Sequence, residues 1–231
     1  MIPKVIHCCW FGGPKPKLAE KCLASWRRFA PDWTVREWTL DDVRRAADDG
    51  EIAPVPPFVE DAVKARKWAF AADWLRFAVL YAGGGAYFDT DVELVAPFSV
   101  DGEFVAGERI PGGGEAICAC VLALEKGSPA AKAMLEHYGS ERFDMRRTVG
   151  ERFRDVLGSS GITLPVSPPE VFCPIDVDGT LRRTGRTVGI HRCAMSWCPW
   201  RRRLARWLSW HGMRGAIDLA LRIREKLRAP S

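Results

Sequence analysis

Apolar residues fill most of the run from Ile2 to Phe11, which Gly12-Gly13-Pro14 then stops; this predicts a buried first strand. Leu18, Cys22, Trp26 and Phe29 recur at helical spacing and predict an amphipathic helix ending near Pro31. Trp33 to Trp38 alternates apolar and polar positions, as a half-buried strand does. Strand, helix and strand in that order suggest a parallel α/β sheet. A polar helix follows over Leu40 to Asp48, then a proline-rich loop from Pro54 to Pro57. Phe58 to Tyr81 reads as one long helix, closed by Gly83-Gly84-Gly85.

Ala86-Tyr87-Phe88 reads as a short strand leading into Asp89-Thr90-Asp91, with Val92 to Val95 continuing extended. Further strands are expected at Glu103 to Ala106 and Ile117 to Leu124, and helices at Ser128 to Tyr138 and Phe143 to Leu157. A proline-rich segment from Pro165 to Pro174 precedes a last strand, Thr187 to His191. There is no internal repeat.

Composition changes this picture at one end only. Hydrophobic residues make up 47% of the 231 and charged residues 27%, an ordinary globular balance with length enough for one domain and a real core. The net charge is +5, yet Trp200 to Ser231 holds nine Arg or Lys against two acids, so the first 199 residues are close to neutral. A basic pI that belongs to a tail gives no reason to expect nucleic acid as a partner. The expected division is a domain over 1–199 and a basic amphipathic helical tail over 200–231.

Neither a secretory leader nor an apolar run long enough to span a membrane is read in the sequence. The eight Cys sit in apolar runs without a disulfide framework, which suits buried thiols in a reducing cytoplasm. Cys118 and Cys120 with Cys193 and Cys198 could ligate zinc, although the spacings match no usual site.

The candidate chemistry centres on GGGAYFDTDVEL. A short hydrophobic strand delivers Asp89 and Asp91 to the edge of a sheet, where α/β proteins place ligands. Two carboxylates that close repel unless a cation lies beside them. A hard ion such as Mg²⁺ or Mn²⁺ takes oxygen ligands, often one or two carboxylates plus phosphate oxygens. Asp73 and Arg76, three residues apart, share one face of the preceding apolar helix. They can form an internal ion pair, or reach into a site and hydrogen-bond sugar hydroxyls.

IPKVIHCCWFGG at the start, AADWLRFAVLYAGGGAYFDTDVEL in the middle and GIHRCAMSW near the end resemble glycosyltransferase family 32 over residues 2–199. That family is related to yeast initiating mannosyltransferases and more distantly to clostridial glucosylating toxins. The resemblance implies an α/β fold of the GT-A nucleotide-diphospho-sugar transferase type, here followed by the basic helical tail. It implies a metal-dependent, retaining enzyme that moves a hexose from a nucleotide-sugar, UDP favoured over GDP, to a growing surface glycan or lipid-linked saccharide.

Residue by residue, the resemblance makes Trp10 the aromatic that stacks on the base and Asp73 and Arg76 the pair contacting the donor sugar. It makes Asp89 the acid near ribose and sugar, and Asp91 the direct ligand of Mn²⁺ or Mg²⁺. His191 becomes a further metal ligand, and Ser196 and Trp197 cover the diphosphate. In the block GGGEAICACVLALEKGSP the sequence departs from the family, with Cys118-Ala119-Cys120 where Asn or Ser usually stands near the sugar. The resemblance places the protein in a bacterial cytoplasm, and the basic tail would allow peripheral attachment at the inner membrane face.

Two rival readings start from other residues. IDVDGTL, Ile175 to Leu181, looks like the nucleophile loop of haloacid-dehalogenase-type phosphatases, although Pro174 interrupts the strand that should precede it. In the tail, Trp200, Leu204, Trp207 and Leu208 fall on one helical face with Arg201, Arg202, Arg203 and Arg206 on the other. That pattern suits a non-enzymatic module on an anionic lipid surface, and equally a helix docked on the domain's own core.

Overall fold

The computed structural model describes residues 1–194 together with Leu204 and Leu208. Ser196, Trp197, the 199/200 boundary and, apart from Leu204 and Leu208, the expected amphipathic tail therefore lie outside the described residues. The order is β1 (Val5–Cys9), α1 (Lys17–Phe29), β2 (Thr34–Trp38), α2 (Leu40–Asp48), α3 (Pro57–Lys64), α4 (Trp68–Gly83), β3 (Gly85–Phe88) and β4 (Val92–Leu94). There follow β5 (Phe104–Arg109), β6 (Glu115–Leu124), α5 (Pro129–Ser140), α6 (Val149–Ser160), β7 (Val166–Ser167), α7 (Pro169–Phe172) and β8 (Gly189–His191).

Six strands form one sheet in the order β2-β1-β3-β6-β5-β7, and β4 pairs with β8 in a separate two-stranded ribbon. Strands β2, β1 and β3 are mutually parallel, as the opening strand-helix-strand pattern predicts, and β7 is parallel to β5. Strand β6 runs antiparallel between β3 and β5, so the sheet is mixed rather than purely parallel. Alternation along the strands divides the core into two layers. Ile6, Cys8, Ala86 and Phe88 pack with Trp26 of α1 on one face, while Cys9, Tyr87 and Leu122 pack with α4 and Phe153 of α6 on the other.

Helix α4 is buried at every position from Phe70 to Leu80, which explains why its sequence is apolar on all sides. The single long helix expected over Phe58 to Tyr81 is two helices. The charged run Lys64-Ala65-Arg66-Lys67 has no place in the core that α4 crosses. The chain leaves α3 there through Arg66, which adopts φ 55°, with Lys67 N–H bonded back to the Ala62 carbonyl at 2.8 Å. After α4, Gly84 and Gly85 adopt φ 68° and 113°, and a side chain at Gly85 would collide with the Val5 carbonyl oxygen. That close approach seats β3 against β1 and aims its carboxyl end at the same sheet edge as that of β1.

Helix α1 also anchors the strand β4 that leaves the acidic turn. Trp26, fully buried, donates its indole N–H to the Val92 carbonyl at 2.7 Å, and the Leu94 N–H donates to Ser25 Oγ at 2.9 Å. No helix among the described residues is long and apolar enough to cross a membrane.

Candidate active site

Asp89 N–H donates to the Cys120 carbonyl at 2.8 Å, continuing the β3–β6 ladder by one rung, and Val92 N–H returns to the Asp89 carbonyl at 3.0 Å. Asp89-Thr90-Asp91 is thus a tight turn between the central sheet and the β4–β8 ribbon. The ribbon holds the second acid from below: Asp91 Oδ2 accepts the Ala194 N–H at 2.7 Å, its carbonyl accepts the Arg192 N–H at 2.9 Å, and Oδ1 lies 3.4 Å from His191 Nε2. Ligand atoms of Asp89, Asp91 and His191 all lie within 4.8 Å of one another. Carboxylate oxygens and an imidazole nitrogen at that separation fit a divalent cation.

Behind the turn lies the α4 pair. Arg76 Nη2 is 2.7 Å from Asp73 Oδ1 and 3.3 Å from Asp89 Oδ1, its Nη1 donates to the Ala119 carbonyl, and its guanidinium sits 4.9 Å from the centre of the Tyr87 ring. Asp73 and Arg76 are therefore an internal ion pair that also reaches the acidic turn. The Arg76 Nε–H is buried and has no partner among the described residues. The Ala119 carbonyl is turned toward Arg76 by a break in β6: pairing with β5 shifts register between Val105 and Gly107, and Ala119 adopts φ 54°.

Charge is distributed unequally between the two acids. Burial pushes the Asp89 carboxyl up to about 7; Asp91 adds to this, while Arg76 and His191 oppose it. Burial also works against the Asp91 charge, but His191 and the Ala194 N–H outweigh it and hold that carboxyl below its ordinary range. Of the two carboxyls, Asp91 is the more readily ionised and Asp89 the one that a neighbouring cation would help to ionise. Asp89 retains 28% of its side-chain surface, so an incoming ligand can reach it.

Trp10 follows β1 at the same sheet edge. It is half-buried rather than part of the core, and its indole N–H is anchored on the Gly13 carbonyl at 2.7 Å. The structure thus gathers Asp73, Arg76, Asp89, Asp91 and His191 and sets Trp10 on the shared edge. IDVDGTL is an exposed turn closed by one Ile175–Leu181 bridge, with Asp176 Oδ2 paired to Arg182 at 2.7 Å. No strand of the sheet delivers Asp176, so the phosphatase reading lacks its nucleophile.

Reading the sequence alone missed Tyr87, the Ala119 carbonyl and Cys173. Cys173 ends α7 and lies 3.5 Å, sulfur to sulfur, from Cys120, whereas sequence spacing groups Cys118 and Cys120 with Cys193 and Cys198. Cys193 does lie 3.6 Å from His191 Nδ1, and Cys198 falls outside the described residues.

Residues 16–109 match the family described as a glycosyltransferase sugar-binding region containing the DXD motif. The match is to that region and does not single out family 32. No curated protein sequence matches the chain. Among solved structures, the PaToxG glycosyltransferase is similar at a TM-score of 0.54 with 20% identity, over 69% of this chain and 70% of that one. A glycosyltransferase involved in the glycosylation of the major capsid of PBCV-1 is similar at a TM-score of 0.50 with 12% identity, over 91% of this chain and 99% of that one. These likenesses show the fold, and the family match covers the segment that builds the acidic turn. Residues 16–109 thus resemble a glycosyltransferase sugar-binding region containing the DXD motif, within a fold similar to that of solved glycosyltransferases.

Proposed function

We infer that the protein transfers a hexose from a nucleotide-sugar to a glycan or lipid-linked saccharide, with retention and with the help of Mn²⁺ or Mg²⁺. The observation that carries this reading is the Asp89-Thr90-Asp91 turn, whose two carboxylates bring their oxygens within 4.8 Å of each other and of the His191 imidazole nitrogen, backed by Arg76. Asp91 is the direct ligand of the cation. Asp89 faces ribose, sugar or the ion's water shell. The His191 ring beside them can lend its Nε2 lone pair to the ion or, with Nε2 protonated, orient Asp91. When bound, the cation neutralises charge on the departing diphosphate.

The protein's own groups do the positioning. Trp10 offers a ring face at the end of β1 for the base. Asp73 and Arg76 offer a carboxylate and a free Nε–H to sugar hydroxyls, and their mutual pairing fixes both before the donor arrives. Ser196 and Trp197 follow β8 closely in sequence, which suits a role over the diphosphate. The preference for UDP, the retaining outcome, the glycan acceptor and the cytoplasmic setting rest on the resemblance to family 32. The basic Trp-bearing pattern of the tail suits an anionic membrane surface that would bring lipid-linked acceptors to the site.

The test is hydrolysis and transfer with each common nucleotide-sugar offered separately, in Mn²⁺, in Mg²⁺ and in EDTA, for wild type and Asp91→Asn. Asparagine keeps an acceptor for the Ala194 N–H but removes the charge the ion needs. Its transfer rate is expected to fall by about 10²–10³-fold, the usual cost of losing a group that stabilises developing charge. Full transfer in EDTA, or in a folded Asp91→Asn protein, would falsify the metal-assisted reading.

A further inference from the structure

Three thiols and one imidazole nitrogen converge beside the acidic turn. Cys118 Sγ lies 3.5 Å from His191 Nδ1, Cys120 Sγ lies 3.5 Å from Cys173 Sγ, and the ligand atoms of Cys118, Cys120, Cys173 and His191 all fall within 4.8 Å of one another. They come from separate places: the break in β6, the end of α7, and β8. We propose that Cys118, Cys120, Cys173 and His191 Nδ1 form a binding site for a thiophilic divalent metal, zinc by preference, distinct from the hard-cation site at Asp89 and Asp91.

The geometry is that of a closed tetrahedral shell. With Zn–S near 2.3 Å and Zn–N near 2.0 Å, the edges of the tetrahedron are roughly 3.5–3.8 Å. Two of the ligand pairs already lie at that spacing. A disulfide would bring two sulfurs to about 2.05 Å, far inside the spacing seen here. The local backbone also points to a ligand. On a regular strand, residues two apart share a face but lie roughly 6.6 Å apart along the chain. Ala119, a non-glycine residue held at φ 54°, breaks that spacing and folds Cys118 back toward Cys120.

The chemistry of the donors agrees. Three thiols and an imidazole are the soft and borderline donors that zinc prefers, and metal displaces the thiol protons as it binds. The other nitrogen of His191 completes the arrangement. Its Nε2 lies 3.4 Å from Asp91 Oδ1, and a metal-bound histidine characteristically donates its second N–H to a carboxylate. A neutral imidazole has one lone pair. Zinc on Nδ1 therefore makes His191 the donor that orients Asp91, and leaves the hard cation to the carboxylates and the diphosphate. The proposal goes beyond the transfer reading and does not depend on it.

The full-length protein, purified from zinc-containing medium without chelator, is tested for metal by inductively coupled plasma mass spectrometry. After metal removal it is titrated with Co²⁺ without any nucleotide-sugar. The expected result is about one zinc per chain and an intense thiolate-to-cobalt charge-transfer absorption, which the oxygen ligands at Asp89 and Asp91 cannot give. Cys173→Ser and the partly exposed Cys118→Ser should each lose that absorption and at least about tenfold in zinc affinity, whereas Cys22→Ser, a buried thiol elsewhere, should keep both. Asp91→Asn should weaken zinc about 10–100-fold while keeping the cobalt spectrum. Only trace zinc with no charge-transfer band, unchanged affinity in Cys118→Ser, or a Cys120–Cys173 disulfide in the unreduced protein overturns the proposal. Zinc binding by a protein that transfers no sugar would sink the transfer reading and leave this one standing.

Discussion

Two imidazoles, His7 buried and His191 half-buried, one in each half of the molecule, have been driven in opposite directions. His7 lies in β1, within the parallel half of the sheet. Its Nδ1 accepts the Trp38 indole N–H at 3.1 Å and its Nε2–H donates to the Gly84 carbonyl at 3.2 Å. Both partners are neutral, so burial dominates and pushes the pKa down to about 4. His191 lies in β8, on the ribbon side. Burial opposes its charge too, yet the thiols of Cys193, Cys120 and Cys118 and the Asp91 carboxylate outweigh it and hold the pKa well above the ordinary value. The first ring is kept neutral. The second stands among a carboxylate and thiols, the donors a cation takes, and both candidate cation sites lie there.

The comparison can be broken first at His7, where the expected effect is largest. The unfolded chain takes up a proton on this ring near pH 6.5 and the folded chain only near 4. Its neutral form therefore contributes fully above pH 6.5, and that contribution fades as pH falls toward 4. Over this range wild type should lose about 3 kcal/mol relative to a His7→Gln variant, whose amide can still accept from Trp38 and donate to Gly84. Urea melts of both proteins at pH 7 and pH 4 measure it. Parallel losses in the two would mean that burial does not hold the His7 ring neutral in the folded protein.

Much of that regular half was legible in the sequence because its signals are local. The apolar spacing of α1, the alternation of β2, the polar helix α2 and the three-glycine stop are each complete within a dozen residues. The acidic turn was legible for the same reason. The irregular half was not, because its key contacts join residues far apart in the chain. Cys173 reaches Cys120 across 53 positions and His191 reaches Cys118 across 73, through a break in β6 that no periodicity announces. The extended run from Val92 was legible as β4, but that it leaves the central sheet was not, since this depends on β8 arriving beside it.

The second test sharpens the contrast within one helix. Gly150 sits at the start of α6 against the Ile117 carbonyl and the Ile117–Cys118 peptide, so a methyl group there would overlap the strand that forms the break. Gly158, in the same helix, has nothing within 4 Å of a would-be Cβ. Alanine in place of helical glycine ordinarily stabilises by roughly 0.5–1 kcal/mol, and Gly158→Ala should do so. Gly150→Ala should instead destabilise by about 1–3 kcal/mol, the usual cost of overpacking, and lower both zinc affinity and transfer. Thermal melts of the two variants decide it. A stabilised Gly150→Ala with an undisturbed site would show that the break in β6 is not braced by α6.

The smallest effect concerns how the helices start. Thr39 caps α2 and Thr148 caps α6, each with a reciprocal box, to Asp42 and to Glu151. The apolar pattern places the start of α6 at Phe143, six residues too early. Phe143 is apolar because it packs, from a loop, against Phe58 and Phe70 at ring distances of 5.5 and 5.6 Å, and not because it belongs to a helical stripe. The Thr148-x-x-Glu151 pattern is the better signal and marks the true start. Thr39→Ala and Thr148→Ala should each cost about 1 kcal/mol, since each leaves an N-terminal amide of its helix without its side-chain acceptor. Their effects on the site should differ. Thr39 caps a helix that packs far along the chain from the acidic turn, so its loss should leave transfer unchanged. Thr148 stands two residues before Gly150, so fraying there releases the contact with Ile117 and should reduce zinc affinity along with stability. Equal stability losses with equal, undiminished zinc affinity would place α6 with the passive scaffold and move the boundary between the two halves to β6 itself.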